Sequence, residues 1–345
     1  MQRIFFISHQ LSETGNMSVS KDFTGFELVV PFIKEVKVNH SKASQIKVKI
    51  RSSRVLQKMF DYMYRDMKIS VDDYLLMIAD AFSGVGFRSS LDKTHLSFVK
   101  KIYEYCSSNW NQIEETLTFL RRFDTEKLHL IVKKYLPKII EPPNMVIHFV
   151  LDGGDCRGFQ SEIYADLTLL AILGNAKAAG LLAHEFHHSC RAEITAPYKE
   201  TRYPEIFQVL YWLESEGIAD KVYDLGQEKP DNMFEPLLKL VKVRRRMYLN
   251  ANNYLRLLDK ALRISENPIP IFSNNAYHPV GHFMADVIES TLGTRELVKT
   301  VGDPFDFVEA YNESARILQK SSVFILSNDT IKKLRKIRAE IRMKT

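Results

Sequence analysis

Five consecutive residues, His184-Glu185-Phe186-His187-His188, set an H-E-x-x-H spacing in this chain. On a helix, His184 and His188 project about 40° apart and one turn along, so both imidazoles can reach one ion. Glu185 falls about 60° around from His188, beside such an ion and not on it, which suits a base acting on metal-activated water. His187, three residues after His184, is a rival donor, although the convention of the motif favours His188. Leu182, Phe186 and Cys190 occupy the opposite face and can anchor the helix in a core. Ala176, Ala178, Ala179, Gly180 and Ala183 would let neighbouring elements close in.

A zinc site able to do chemistry needs one more protein donor and an open position for water. The segment Tyr211-Trp212-Leu213-Glu214-Ser215-Glu216-Gly217-Ile218-Ala219-Asp220 supplies it, with Glu216 lying 28 residues past His188. That distance leaves room for a loop and a returning helix. Asp220 sits one turn beyond Glu216, placed to accept the free ring N–H of a ligating histidine. Gly217 and Ala219 are small and Leu213 and Ile218 apolar, the composition of a packed helix. The expected centre is therefore one zinc per chain on His184, His188 and Glu216, supported by Asp220. Cobalt, manganese or iron suit the same ligand types.

These two segments together resemble the gluzincin metallopeptidases, the thermolysin-like group. They resemble still more closely a family of zinc-dependent peptidases defined mainly as a domain of unknown function. That family combines H-E-[FY]-H-H, E-G-[IL]-A-[DE] and a later Y-x-x-x-G-x-x-M-A, which Tyr277-His278-Pro279-Val280-Gly281-His282-Phe283-Met284-Ala285 matches. The resemblance covers residues 146–310 and does not visibly reach residues 1–140. It implies a zincin-like fold, zinc on His184, His188 and Glu216, and Glu185 as general base and proton shuttle. It also implies that residues 146–151 form the edge strand pairing with an extended peptide or protein substrate. A residue of the downstream segment would stabilise the oxyanion: Tyr277 first, since a phenol can donate to it, with His278 and His282 as rivals.

The chain that must position these groups has 345 residues, 45% hydrophobic and 26% charged, enough for a sizeable core. Length suggests about two domains. The formal charge of +6 is local: residues 331–345 hold seven basic residues and one acid, so the remainder balances. A surface that coats nucleic acid is not indicated. In that tail Ile331, Leu334, Ile337 or Arg338, and Ile341 recur at helical spacing, giving a basic amphipathic helix expected to dock by its apolar stripe; binding to an acidic partner, nucleic acid or anionic lipid is the alternative. Cys106, Cys156 and Cys190 are odd in number and far apart, so neither a disulfide framework nor a thiolate zinc site is expected. The apolar run 4–7 is too short for a signal core and the stretch 167–183 is interrupted, so a cytoplasmic protein without a membrane span is expected.

Residues 1–50 read as β-rich, with strands at 26–30, 36–38 and 46–50. Helices are expected over 53–66, after a Ser70–Asp73 capping spacing, and over 91–106, 112–123 and 125–136. Pro142-Pro143 marks the main boundary. A strand follows at 145–151, then helices at 175–192, 204–225, 234–264, 279–292, 304–319 and 329–343. The expected class is α+β, mainly α: a β-rich segment 1–50, a helical region 51–141 and a zincin-like domain 142–345 with the active-site helix next to a small sheet. Zinc-dependent peptide hydrolysis is the leading function. A catalytically silent zinc-helix scaffold, closed by a fourth ligand such as His187 or His282, and another metal-dependent hydrolase are the alternatives.

Overall fold

The computed structural model describes residues 18–38, 43–83, 96–159, 161–192, 194, 202–228, 234–319 and 323–342. In chain order the elements are β1 (Val19–Asp22), α1 (Thr24–Val38), α2 (Ala43–Ser52), α3 (Arg54–Tyr62), α4 (Val71–Ser83), α5 (Leu96–Ser108), α6 (Trp110–Arg122) and α7 (Glu126–Val132). They continue as β2 (Met145–Val150), β3 (Cys156–Phe159), β4 (Glu162–Asp166), α8 (Leu167–Leu173), α9 (Asn175–Ala192) and α10 (Pro204–Val222). The last are α11 (Glu235–Leu249), α12 (Ala251–Ile264), α13 (Tyr277–Leu292), α14 (Thr294–Lys299), α15 (Pro304–Leu318) and α16 (Asn328–Arg342). The fold is α+β and mainly α: one strand, then helices, then a four-stranded mixed sheet completed from the middle of the chain. The apolar run 4–7 and the chain end at 343–345 lie outside the described residues.

The expected strands at 26–30, 36–38 and 46–50 are helical instead, in α1 and α2. Phe26, Val29, Ile33 and Val36 recur at helical spacing and are all buried, which outweighs the β-branched composition of the run. Ile46 and Ile50 are one helical turn apart and share a face, while Val48 between them is 64% exposed. Three alternating apolar residues fit either period, and tertiary packing decides. The expected 234–264 helix is two helices, since Asn250 (φ −99°, ψ 13°) breaks the run between α11 and α12. The Ser70–Asp73 spacing caps α4 from both sides: Ser70 N–H donates to Asp73 Oδ2 at 3.0 Å and Asp73 N–H to Ser70 Oγ at 3.1 Å.

The sheet order is β1-β2-β4-β3, with β1 and β4 parallel to β2 and β3 antiparallel to β4. β2 is therefore interior, which corrects the expectation that residues 146–151 form the substrate-pairing edge. The reason is β1: Val19-Ser20-Lys21-Asp22 carries no alternating pattern, yet it takes the side of β2 that would otherwise be open. The edge strand lying on α9 is β3. The hydrophobic core runs without a break across Pro142-Pro143, from Phe26 and Phe32 on α1 to Phe149 on β2 and Phe186 on α9.

Three contacts fix the functional helices. Arg191 of α9 pairs with Glu214 of α10, both essentially inaccessible, and Glu214 Oε1 also accepts the Gly302 N–H at 3.0 Å. Gly158 of β3 lies so close to α9 that a Cβ there would stand 2.6 Å from the Glu185 carbonyl oxygen. α10 and α13 touch backbone to backbone: a Cβ on Gly281 would stand 2.2 Å from the Leu213 carbonyl oxygen, and one on Gly217 2.4 Å from the Gly281 carbonyl carbon. α16 docks by buried Ile331, Leu334, Ile337 and Ile341, and its Arg338 pairs with Asp303 and Asp306 at 2.6 Å each. Among the described residues, no helix is long and apolar enough to cross a membrane.

The crossing gives a direct test. Gly281→Ala places a methyl group against a backbone carbonyl that no rotamer change can relieve. Stability should fall by at least the upper part of the ~1–3 kcal/mol typical of overpacking, read as a lower urea midpoint. An unchanged midpoint would mean that the two backbones do not meet there.

Candidate metal centre

α9 carries His184, Glu185 and His188, and α10 carries Ser215, Glu216 and Asp220. The Arg191–Glu214 pair and the α9–β3 contact hold these two helices with their polar faces toward each other. His188 Nε2 lies 3.1 Å from His184 Nε2 and 3.1 Å from Glu216 Oε2, and His184 Nε2 lies 3.4 Å from the same oxygen. Three donors about 2.0–2.1 Å from a tetrahedral zinc stand about 3.3–3.4 Å apart, so this triangle is close to the size of a zinc face.

The outer nitrogens of both histidines are also held. His184 Nδ1 is 3.1 Å from the Tyr223 carbonyl oxygen and 3.4 Å from Asp220 Oδ1, and His188 Nδ1 is 3.1 Å from Ser215 Oγ. Such partners fix the ring orientation and leave Nε2 as the donor atom. Donor types, spacing and outer partners all fit zinc.

His278, at the start of α13, joins this group. Its Nδ1 lies 3.3 Å from Glu216 Oε2 and 3.3 Å from Asp220 Oδ2, with its ring 6.0 Å from that of His184 and tilted by 26°. Among the described residues, neither this nitrogen nor either oxygen of Asp220 makes a well-aligned hydrogen bond, although all are buried. Buried polar atoms left in this way are ones that a bound ion or water would satisfy.

The other residues singled out in the sequence sit apart from the triangle. His187 turns its Nε2 to the Tyr135 carbonyl oxygen at 3.0 Å. Tyr277 stacks on Trp212 at 4.9 Å and its hydroxyl donates to Asn275 Oδ1 at 3.0 Å. His282 is engaged by Asp224 Oδ2 at 2.8 Å. Glu185 Oε2 accepts the Gly158 N–H at 2.6 Å, tying it to the edge strand. Sequence offered no signal for that last bond beyond Gly158 itself, nor for the buried Arg191–Glu214 pair.

The charges are strongly coupled. Burial opposes a charge on His184, but the Glu216, Asp220 and Glu185 carboxylates outweigh it and hold the pKa up to about 9. Burial raises the Glu185 carboxyl; His184 pulls it down, Glu216 and Asp155 push it up, and the result is about 8. His188 lies below its ordinary value, chiefly because it is buried. Glu216 is held well below the carboxylate range: burial works against this, and its attraction to the His188 and His278 rings and the hydrogen bonds from His184 and His188 overcome it.

A buried pair of helices presenting two imidazoles and a carboxylate, with a further carboxylate alongside, is a donor set of the kind that can hold a metal ion. The chain belongs to the family DUF5700, described as "Putative zinc dependent peptidase", which matches residues 34–320. The match takes in the helical N-terminal half from the last turn of α1 onward, well beyond the 146–310 over which the motifs could be read. No curated protein and no solved structure matches the chain.

Zinc binding should be linked to proton release. A metal takes only neutral imidazole, and His184 keeps its proton below about pH 9 in the metal-free site. His188, lowered, and Glu216, already ionised, contribute none near neutrality. Apparent affinity should therefore rise with pH toward pH 9, with one proton released per zinc at pH 7 from His184 and close to a second from Glu185, whose carboxyl is held up to about 8 until the ion ionises it. Calorimetric titration in two buffers of different ionisation enthalpy counts these protons. A count of zero would mean that His184 is already neutral.

Proposed function

We propose that the protein is a zinc-dependent metallopeptidase that hydrolyses peptide bonds with Glu185 as general base. The observation that carries this reading is the triangle of His184 Nε2, His188 Nε2 and Glu216 Oε2, 3.1–3.4 Å on a side, with the Glu185 carboxylate on the same helix. His184, His188 and Glu216 would hold the ion, and Asp220 and Ser215 would orient the two imidazoles. A bound zinc would polarise the scissile carbonyl, acidify the attacking water and, as a neighbouring dication, favour the ionised form of Glu185.

The chain's own residues supply the rest. Glu185 takes the proton of the attacking water and passes it to the leaving amine, so its position matters more than its charge alone. The Gly158 N–H fixes one of its oxygens and leaves the other to face the reaction. Among the described residues β3 has a strand neighbour on one side only, β4, so an extended substrate backbone would have an open edge to pair with next to that base. His278, against Glu216 and Asp220, is the best placed of the three downstream candidates to donate to a developing oxyanion. Tyr277 and His282 have their polar atoms engaged by Asn275 and Asp224.

His278 also supports a second reading. Its approach to Glu216 Oε2 would let it serve as a fourth donor, and a site closed in that way is structural and not catalytic. Metal content separates the two. On the peptidase reading, Glu216→Ala and His184→Ala lose one equivalent of zinc and all turnover of a peptide library. Glu185→Gln keeps the zinc and loses about 10²–10⁴-fold in kcat. His278→Ala keeps the zinc and lowers kcat. Zinc loss in His278→Ala, with no peptide cleaved by wild type, would establish the closed structural site. Full turnover by Glu185→Gln would remove that residue from the reaction.

A further inference from the structure

A second group of donors converges beside the first. It consists of Asp220 from α10, Asp224 from the turn that follows, and His282 from α13, one turn beyond His278. One ligand atom from each lies within 4.8 Å of the other two, and all three residues are buried. His282 Nδ1 is 2.8 Å from Asp224 Oδ2. The side chain of Asp220 is only 1% exposed, and among the described residues neither of its oxygens makes a well-aligned hydrogen bond. A carboxylate buried in that state is costly unless a cation meets it.

Asp220 faces the imidazoles of His184 at 3.4 Å and His278 at 3.3 Å, both of which belong to the first centre, and among the described residues no lysine or arginine pairs with it. Lys221 is taken by Asp286 and by Glu289 at 2.9 Å, and Arg244 approaches Asp224 no closer than 3.8 Å. There is also a way in from solvent. A cleft of about 570 Å³ is lined by Asp220, Asp224 and His282 together with Lys177, Tyr223 and Glu228.

We propose that Asp220, Asp224 and His282 form a second divalent-cation site, separate from His184, His188 and Glu216. Two carboxylates and one imidazole suit a borderline cation such as zinc or manganese; an imidazole in the set disfavours calcium and magnesium. The ion would tie the end of α10 and the turn after it to α13. It would also fix Asp220, whose Oδ1 faces His184 Nδ1 at 3.4 Å, so that the second site acts as a positioning device for the first. The competing arrangement holds the same residues together with a proton: a charged His282 between Asp224 and Asp220.

The experiment is metal counting on the full chain. Wild type, Glu216→Ala, Asp224→Asn, His282→Gln and the Glu216→Ala/His282→Gln pair are dialysed against excess zinc, and in parallel against manganese. They are then desalted and measured by plasma mass spectrometry, with circular dichroism to check folding. Two equivalents are expected in wild type, one in each single variant and none in the double. Added zinc should raise the Tm of Glu216→Ala and leave that of the double variant unmoved, because only an ion that binds the folded state stabilises it.

One equivalent in wild type, lost in Glu216→Ala and kept in His282→Gln and Asp224→Asn, overturns the second site and leaves the peptidase centre standing. Two equivalents that persist in both His282→Gln and Asp224→Asn also overturn it, by assigning the extra ion to other groups. One equivalent sensitive to His282 and indifferent to Glu216 would establish the second site and remove the first.

Discussion

Everything at the polar centre depends on how closely two helices approach. Gly217 and Gly281 let α10 and α13 meet backbone to backbone, and each lies within one turn of a residue that matters: Glu216 precedes the first, and His282 follows the second. Because the axes are this close, His278 reaches both Glu216 and Asp220, and Asp220 comes within reach of donors on α9 and α13 at once. Side chains of ordinary size at the crossing would part the helices by a few ångströms, more than a hydrogen bond or coordination bond tolerates. Neither glycine has a positive φ, so what is required of them is space and not backbone conformation.

The second constraint acts from the opposite side. α9 is clamped at its C-terminal end by the Arg191–Glu214 pair and alongside Glu185 by β3. A buried ion pair does little for net stability, because desolvation cancels much of the attraction, but removing one partner is expensive. Its geometric effect is plain. Arg191 sits three residues after His188, and Glu214 two before Glu216, so pairing them sets the register between the helix of the two histidines and the helix of the glutamate.

The parts of this arrangement that sequence made legible are the local ones. An i, i+4 histidine pair, a carboxylate one turn ahead of an aspartate, and a serine–aspartate cap each lie within one helix, where 3.6 residues per turn dictates the outcome. Long-range partners carried no such signal. β1 is four residues without alternation, and its pairing with β2 turns an expected edge strand into an interior one. The 46–50 run followed the opposite course, alternating like a strand and folding as a helix because Ile46 and Ile50 alone find a core. Tyr277 and His278 are adjacent in sequence and were inseparable there. The crossing of α13 over α10 turns one onto Trp212 and the other toward Glu216.

The electrostatics of the centre point in one direction. Glu185, Glu216, Asp220 and Asp224 are all withdrawn from water within two turns of α9 and the end of α10, where an isolated carboxylate would be strongly disfavoured. The protein meets part of that cost with protons, holding His184 charged and driving Glu185 toward its neutral form. A proton is a poor substitute for a metal here, since it satisfies one pair of atoms where an ion can satisfy three or four. Asp220 illustrates this: its oxygens face one nitrogen each, His184 Nδ1 at 3.4 Å and His278 Nδ1 at 3.3 Å. A folded chain that draws this many acids together, with imidazoles aimed between them, favours positive charge at its centre, which the proposed ions would supply.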